Sequence, residues 1–260
     1  MGRISSALGL AMGALALAAP VSEAVADPVQ GHAEYSVTLA GFPVAYLNFV
    51  TEVDGANYSI SGTMRTSALS DMFSKTRGNA SVSGALSKDR FQASRFSVAY
   101  TSGKKAQRTE IEFNNGNVKS ATNTPERRKK GGDWVPVSAK DLRAVLDPLS
   151  GLVLPASGRA CPRSLPIFDG QSRVTLHLSP KGVRPFRTKG FKGDAVVCSI
   201  RFDPQAGYRK GSSAIRYLKK LKSMEVWFAK YERGGYYAPV RVKVPTKIGQ
   251  VTVTATRFGD

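Results

Sequence analysis

The hydrophobic positions of this chain follow two different periods. Most of the chain alternates apolar and polar residues, which is typical of β-strands with one buried face. In residues 106–113, for example, Ile111 and Phe113 share one face and charged residues occupy the other. This pattern predicts N-terminal strands over residues 33–121 and C-terminal strands over residues 172–258, with Asn115–Gly116 as the clearest hairpin turn.

Residues 138–154 depart from this alternation. Their apolar residues recur at steps of three and four, the spacing of one helix face, and Ser138 and Asp141 are placed like a capping box. Pro148 either kinks the helix or lies in the first turn of a second short helix capped by Asp147. We predict a central amphipathic helix over 138–154, whose apolar face is Leu142, Val145, Leu146, Leu149, Leu152 and Val153.

The two periods together predict a β-rich α+β fold, mainly β with one central helix. A lone apolar helix among many strands needs shelter, so we expect a curved antiparallel sheet, an open half-barrel, to wrap around it. Residues 123–132 are polar and basic and are either an interdomain linker or a connection within one domain. We favour one domain over 27–260, because the helix needs the preceding strands to bury it. Shorter helices are expected at 67–73 and at 214–221, the latter capped by Ser212 or Ser213.

The first 26 residues resemble a secretory signal peptide. Arg3 provides the positive start, residues 7–19 form an apolar stretch, and residues 24–26 read Ala-Val-Ala. This is the pattern of a cleavable export signal, so we expect cleavage before Asp27 and a periplasmic location. The alternative is a membrane anchor, for which the apolar stretch is short.

The two cysteines, Cys161 and Cys198, are an even count in a chain predicted to be exported. We therefore predict a disulfide between them, with two buried unpaired thiols as the alternative. No metal is expected, because His32 and His177 are the only histidines and neither has a ligand spacing. No cofactor-binding motif is present.

The formal charge of +19 and the pI near 10.2 make the chain strongly basic. Export makes nucleic acid an unexpected partner, so anionic lipid headgroups or acidic wall polymers are the physical alternatives to simple solubility. The sequence does not indicate an oligomeric state. The candidate residues for contact with an anionic surface are Arg127, Arg128, Lys129, Lys130, Arg216, Lys219, Lys220, Arg241 and Lys243.

Several short segments together resemble one family. In order they are YSV at 35–37, GFPV at 41–44, TSALSDMF at 66–73, DPLS at 147–150, CP at 161–162, FDG at 168–170, VCSIRF at 197–202, AGY at 206–208, VWF at 226–228, PVR at 239–241 and IG at 248–249. The chain resembles the exported bacterial proteins grouped as domain of unknown function 3108. The resemblance implies a periplasmic half-barrel similar to the lipoprotein-carrier type, and it brings no catalytic residues.

Residues suited to catalysis are sparse. The chain contains no G-x-S-x-G, H-E-x-x-H, P-loop or dinucleotide fingerprint. Asp169, followed by glycine, is more typical of a turn than of a buried acid. His177 has no evident partner in the sequence and is a weak candidate for a general base. Trp134 and Trp227 either line a cavity or pack in the core.

These observations predict a non-catalytic envelope protein that binds a hydrophobic, amphiphilic or anionic envelope component, with a lipid or amphiphile held between helix and sheet. The alternative is a structural protein that binds another protein or a wall polymer. A second alternative is a hydrolase of an envelope polymer that uses Asp169 or Glu225. An apolar cavity of several hundred cubic ångströms would favour ligand binding.

Overall fold

The structure, a computed structural model, describes residues 27–87, 90–126 and 132–259. Its helices are α1 Ala68–Asp71 and α2 Ser213–Lys220, with short 3-10 turns at Ala139–Leu142 and Ser150–Leu152. Its strands are β1 Val29–Leu39, β2 Phe42–Asp54, β3 Asn57–Thr66, β4 Thr76–Leu86, β5 Phe91–Ser102, β6 Lys105–Asn114, β7 Asn117–Thr124, β8 Trp134–Val135, β9 Leu154–Pro155, β10 Arg163–Phe168, β11 Arg173–Thr188, β12 Phe191–Ala206, β13 Tyr208–Arg209, β14 Met224–Tyr231, β15 Tyr236–Thr246 and β16 Gly249–Gly259.

One large antiparallel sheet contains both predicted groups of strands. Its order is β10-β11-β12-β14-β15-β16-β1-β2-β3-β4-β5-β6-β7, and β9 pairs with β15. The joint between the two groups is the pairing of β1 with β16, which runs from His32 opposite Gly259 to Leu39 opposite Val251. The two ends of the described chain therefore lie side by side in the middle of the sheet.

The sheet is strongly curved, as predicted. Phe91 on β5 and Tyr236 on β15 are separated by six strand steps in the sheet order. In a flat sheet six steps would span about 29 Å, yet the centroids of these two rings are 6.0 Å apart. The two halves of the sheet therefore face each other across one hydrophobic cluster that includes Ile111 from one half and Phe186 from the other.

The edges of this sheet are strands β7 and β10, and no strand pairing joins them within the described ranges. Side chains bridge the gap instead. Asn123 on β7 donates from Nδ2 to the carbonyl oxygen of Gly170 at 3.0 Å and accepts from Gln171 Nε2 at 3.0 Å. The barrel is thus open as a sheet but held together at its edges by polar contacts.

The helix predicted over residues 138–154 is wrong. We call residues 143–154 the crossing segment, because its backbone bonds to both edges of the sheet. Val145 N–H donates to the Gly116 carbonyl at 2.8 Å, and Leu146 N–H donates to the Pro166 carbonyl at 2.8 Å. Ala144 has a φ of 49°, which breaks a helix. Hydrogen bonds to the β6–β7 turn and to β10 therefore replace the i to i−4 bonds that a helix requires.

The apolar residues of the crossing segment recur at steps of three and four because the segment contacts two hydrophobic clusters. Val145 and Val153 are buried in the larger cluster, whereas Leu146 and Leu154 belong to a smaller one around Cys198. The order of apolar positions in such a segment resembles a helix face, although the chain between its two 3-10 turns is irregular.

Other local predictions are confirmed. Asn115 and Gly116 have φ values of 49° and 75°, as a hairpin turn of this sequence requires. Helix α2 begins after Ser212, whose Oγ accepts the Ile215 N–H at 3.3 Å. Among the described residues, none of the helices has both the length and the apolar composition needed to cross a bilayer. The predicted signal peptide lies outside the described residues and stays a prediction.

Candidate ligand cavity

A cavity of about 330 Å³ lies between the crossing segment and the concave face of the sheet. The crossing segment contributes Leu149, Leu152 and Val153 to its wall. Strands β1, β2, β15 and β16 contribute the opposite wall, which is mainly aromatic and aliphatic. Mostly apolar walls with a few polar groups are typical of sites for small hydrophobic ligands.

Tyrosines build one side of the cavity, and backbone carbonyls satisfy two of their hydroxyls. Tyr35 Oη donates to the Pro239 carbonyl at 2.7 Å, and Tyr231 Oη donates to the Gln30 carbonyl at 2.7 Å. Burial raises the pKa of Tyr35, so this phenol is neutral at ordinary pH. The polar ends of these two rings are therefore occupied, and the rings present apolar surface.

The aromatic wall depends on Gly31. A Cβ atom at this position would lie 2.3 Å from Tyr236 Oη and 3.0 Å from the Tyr231 ring. Both rings reach the β1 backbone only because residue 31 has no side chain.

Arg241 also lies in this wall, and its guanidinium is positively charged at any ordinary pH. Its guanidinium carbon lies 4.9 Å from the centroid of the Trp227 ring and 5.3 Å from that of Phe186. Within the described part of the chain, Arg241 makes no ion pair with a carboxylate. Lys243 follows two residues on, 5.5 Å from the Trp227 ring centroid and 4.0 Å from a Glu225 carboxylate oxygen.

The six residues predicted to face a ligand separate into two groups. Leu149, Leu152 and Val153 line the cavity. Val145 is buried in the larger hydrophobic cluster, Leu146 packs against the smaller one, and Leu142 is partly buried against the larger cluster. The part of the crossing segment after Pro148 therefore forms the cavity wall.

The predicted disulfide between Cys161 and Cys198 is present, with the two Cα atoms 6.2 Å apart. Both cysteines are buried in the smaller cluster, next to Leu165 and Val226. The bridge ties the chain just beyond the crossing segment to β12.

The predicted basic residues lie in separate places. Arg216, Lys219 and Lys220 are exposed on α2, and the two lysines border a shallow groove beside His177. Arg241 and Lys243 belong to the cavity region described above. Arg127, Arg128, Lys129 and Lys130 lie outside the described residues.

A buried polar cluster lies in the crossing segment, and sequence reasoning considered only its capping role. Asp147 Oδ1 accepts the Leu149 N–H at 2.8 Å and the Ser150 N–H at 3.0 Å. Its Oδ2 is buried without a hydrogen-bond partner in the described structure. Burial raises the pKa of this carboxyl. Ser150 Oγ in turn lies 2.7 Å from Tyr58 Oη.

His177 has no evident partner in the sequence, and the structure places two side chains within hydrogen-bond distance of its ring. His177 Nδ1 lies 3.0 Å from Ser164 Oγ, and His177 Nε2 lies 3.3 Å from Asp203 Oδ2. The three residues lie on the neighbouring strands β10, β11 and β12, where Ser164 is directly opposite His177. Sequence reasoning missed this set because the register of three strands brings the residues together.

The other candidate residues have structural partners. Asp169 Oδ1 accepts the N–H groups of Gln171 at 2.9 Å and Ser172 at 2.7 Å, which is a turn role. A hydrogen bond from Lys181 holds the pKa of Glu225 below its usual value. Trp134 lies in the short β8–β13 ribbon, away from the cavity wall. In the described ranges, no three His, Cys, Asp or Glu side chains group closely enough to hold a metal ion.

Comparison with known proteins gives a family and a solved structure of distant similarity. The model of a family described as "Protein of unknown function (DUF3108)" matches residues 34–256. The chain is also similar to a solved structure, the "Crystal Structure of Beta-barrel-like Protein of Domain of Unknown Function DUF1849 from Brucella abortus". That match has 9% identity and a TM-score of 0.49, and covers 89% of this chain and 97% of the other. No curated protein matches the sequence.

Proposed function

The chain belongs to the DUF3108 family, whose function is unknown, and we propose from its geometry that it is a non-catalytic exported protein that binds a hydrophobic or amphiphilic envelope molecule. The cavity of about 330 Å³ behind Leu149, Leu152 and Val153 is the observation that supports this function. A half-barrel that holds an apolar ligand also agrees with the resemblance to carriers of the lipoprotein type.

The size and chemistry of the cavity favour a flexible apolar chain as the bound group. Its volume is at the lower end of the range of roughly 300–1,000 Å³ for small-molecule sites. Each methylene transferred from water into such a cavity contributes about 0.8 kcal/mol. An acyl chain of several carbons would therefore offset the entropy lost on binding.

Ligand extraction and a cavity-filling variant test this function. The protein purified from the periplasm is extracted with organic solvent for mass spectrometry, and binding of a fluorescent fatty acid is measured by titration. Leu152→Trp should weaken binding strongly, because the indole occupies the cavity. Leu69→Trp is the matched control, since Leu69 lies on α1 and is 50% exposed. If the extract contains no ligand and the protein does not bind the fluorescent fatty acid, the proposal is refuted and a scaffolding role is favoured.

The contacts of His177 favour an acyl hydrolase as a second candidate. With Nε2–H donating to Asp203, Nδ1 is free to take the proton from Ser164 Oγ as that oxygen attacks an acyl carbon. The imidazolium then returns the proton to the leaving alcohol or amine, and water releases the acyl group in a second step. Hydrolysis of p-nitrophenyl esters that Ser164→Ala abolishes would support this candidate, and hydrolysis unchanged in that variant would remove it.

A further inference from the structure

We propose that the ligand of the cavity carries an anionic headgroup and that Arg241 binds it. This inference rests on the proposed binding function and specifies the class of ligand. The Arg241 guanidinium lines a mostly apolar cavity, and no carboxylate in the described ranges forms an ion pair with it. A cation in such surroundings strongly favours an anionic partner.

The surroundings of Arg241 prepare its guanidinium for binding. The rings of Trp227 and Phe186 lie 4.9 and 5.3 Å from the guanidinium carbon, measured to the ring centroids. Contact with aromatic faces stabilises the cation and limits its motion, while the N–H donors lie in the guanidinium plane. Such a group can donate two parallel hydrogen bonds to a carboxylate or a phosphate.

Two hydroxyl donors that line the cavity are already engaged. The hydroxyls of Tyr35 and Tyr231 donate to backbone carbonyls. His32 also lines the cavity, and it lies near the end of β1 opposite Gly259. Arg241 is therefore the group best placed to determine which headgroup is accepted.

The strand register indicates the direction in which the ligand would lie. Trp227 is paired with Arg241, and Glu225 is paired with Lys243, so the two pairs follow each other along one face. Glu225 accepts a hydrogen bond from Lys181. Beyond Arg241 this region thus contains Lys243 and Lys181 but only one carboxylate, that of Glu225, so its net charge is positive. An apolar tail would lie among Leu149, Leu152 and Val153, with its headgroup toward Arg241.

The experiment compares headgroups on one tail. Displacement of a fluorescent fatty acid is measured at neutral pH for decanoate, decyl phosphate, decanol and decyltrimethylammonium. The wild-type protein should bind the two anions about tenfold or more tightly than decanol, as expected for hydrogen bonds to a charged group, and should bind the cation worst. The ratio of decanoate to decyl phosphate distinguishes a carboxylate from a phosphate headgroup.

Arg241→Gln should remove the preference for anions, so that decanoate, decyl phosphate and decanol bind with similar affinities, and a variant that keeps the preference would refute the role of Arg241. Arg65→Gln is the matched control, because the Arg65 guanidinium also lies over a ring, 4.6 Å from the Tyr46 centroid, and does not line the cavity. If wild-type protein binds decanol as tightly as the anions, the headgroup inference is refuted while the binding function stands. If neither the fluorescent fatty acid nor any of the four probes binds, the binding function itself fails. The wild-type ranking decides whether an anionic headgroup is preferred even if the Arg241 variant does not fold.

Discussion

Replacing Asp147 by asparagine should change how the stability of this protein depends on pH. Asp147 is 0% exposed, and its Oδ1 accepts two backbone N–H groups of the crossing segment. Asparagine retains an oxygen for both bonds but cannot ionise. The variant therefore isolates the cost of holding an ionisable group at this buried position.

The sign follows from the direction of the shift. Burial raises the folded-state pKa above the ordinary value of 3.8, so the folded protein holds the proton more tightly than the unfolded chain does. The resulting stabilisation is fully present below pH 3.8 and is lost as the pH rises from there to the folded-state pKa. Within that window the wild type should lose about 1.4 kcal/mol per pH unit relative to Asp147→Asn.

Urea denaturation followed by tryptophan fluorescence at a series of pH values from acid to neutral measures this difference. Asp169→Asn is the matched control, because exposed Asp169 accepts the same pattern of two N–H groups. Asp147→Ala should be less stable than Asp147→Asn by about 1–3 kcal/mol, since two N–H groups lose their acceptor. A difference between wild type and Asp147→Asn that stays flat or grows in the opposite direction would refute the reasoning.

Three further predictions concern the disulfide, the aromatic wall and the ligand. Replacing Cys198 by alanine should lower the free energy of unfolding by about 3–4 kcal/mol on the chain-entropy model, measured by urea denaturation; a loss below 1 kcal/mol would contradict it. Gly31→Ala should displace Tyr236, destabilise the protein by about 1–3 kcal/mol and weaken fatty-acid binding, whereas Gly132→Ala, which has open space at its Cβ, should leave binding unchanged. Affinity for a series of fatty acids should rise about fourfold per methylene until the cavity is full, and calorimetry showing no dependence on chain length would exclude burial of the tail.

The sequence predicted those elements whose cause is local. Alternation of apolar and polar residues is a property of each strand, and it located the two groups of strands without knowledge of their partners. The turn at Asn115–Gly116 and the cap at Ser212 are also local, because both depend on residues within a few positions. The curvature of the sheet was expected from the need to shelter an apolar segment.

The crossing segment shows where local pattern fails. Its apolar spacing fits a helix, but its backbone bonds to Gly116 and Pro166, which come from opposite edges of the sheet. A non-helical segment that packs between two hydrophobic clusters has the same spacing of apolar residues. A hydrogen bond to a distant turn cannot be predicted from the sequence around Val145, so the tertiary structure made the choice between a helix and an irregular chain.

The candidate site divides in the same way. The sequence by itself determined which residues of the crossing segment are apolar, that Cys161 and Cys198 are available to pair, and that Arg241 alternates with apolar neighbours on β15. Only the tertiary structure decided that a cavity lies behind Leu149 and that the Trp227 and Phe186 rings enclose the Arg241 guanidinium. Those relations depend on strand register and sheet curvature, which bring together residues that are far apart in the chain.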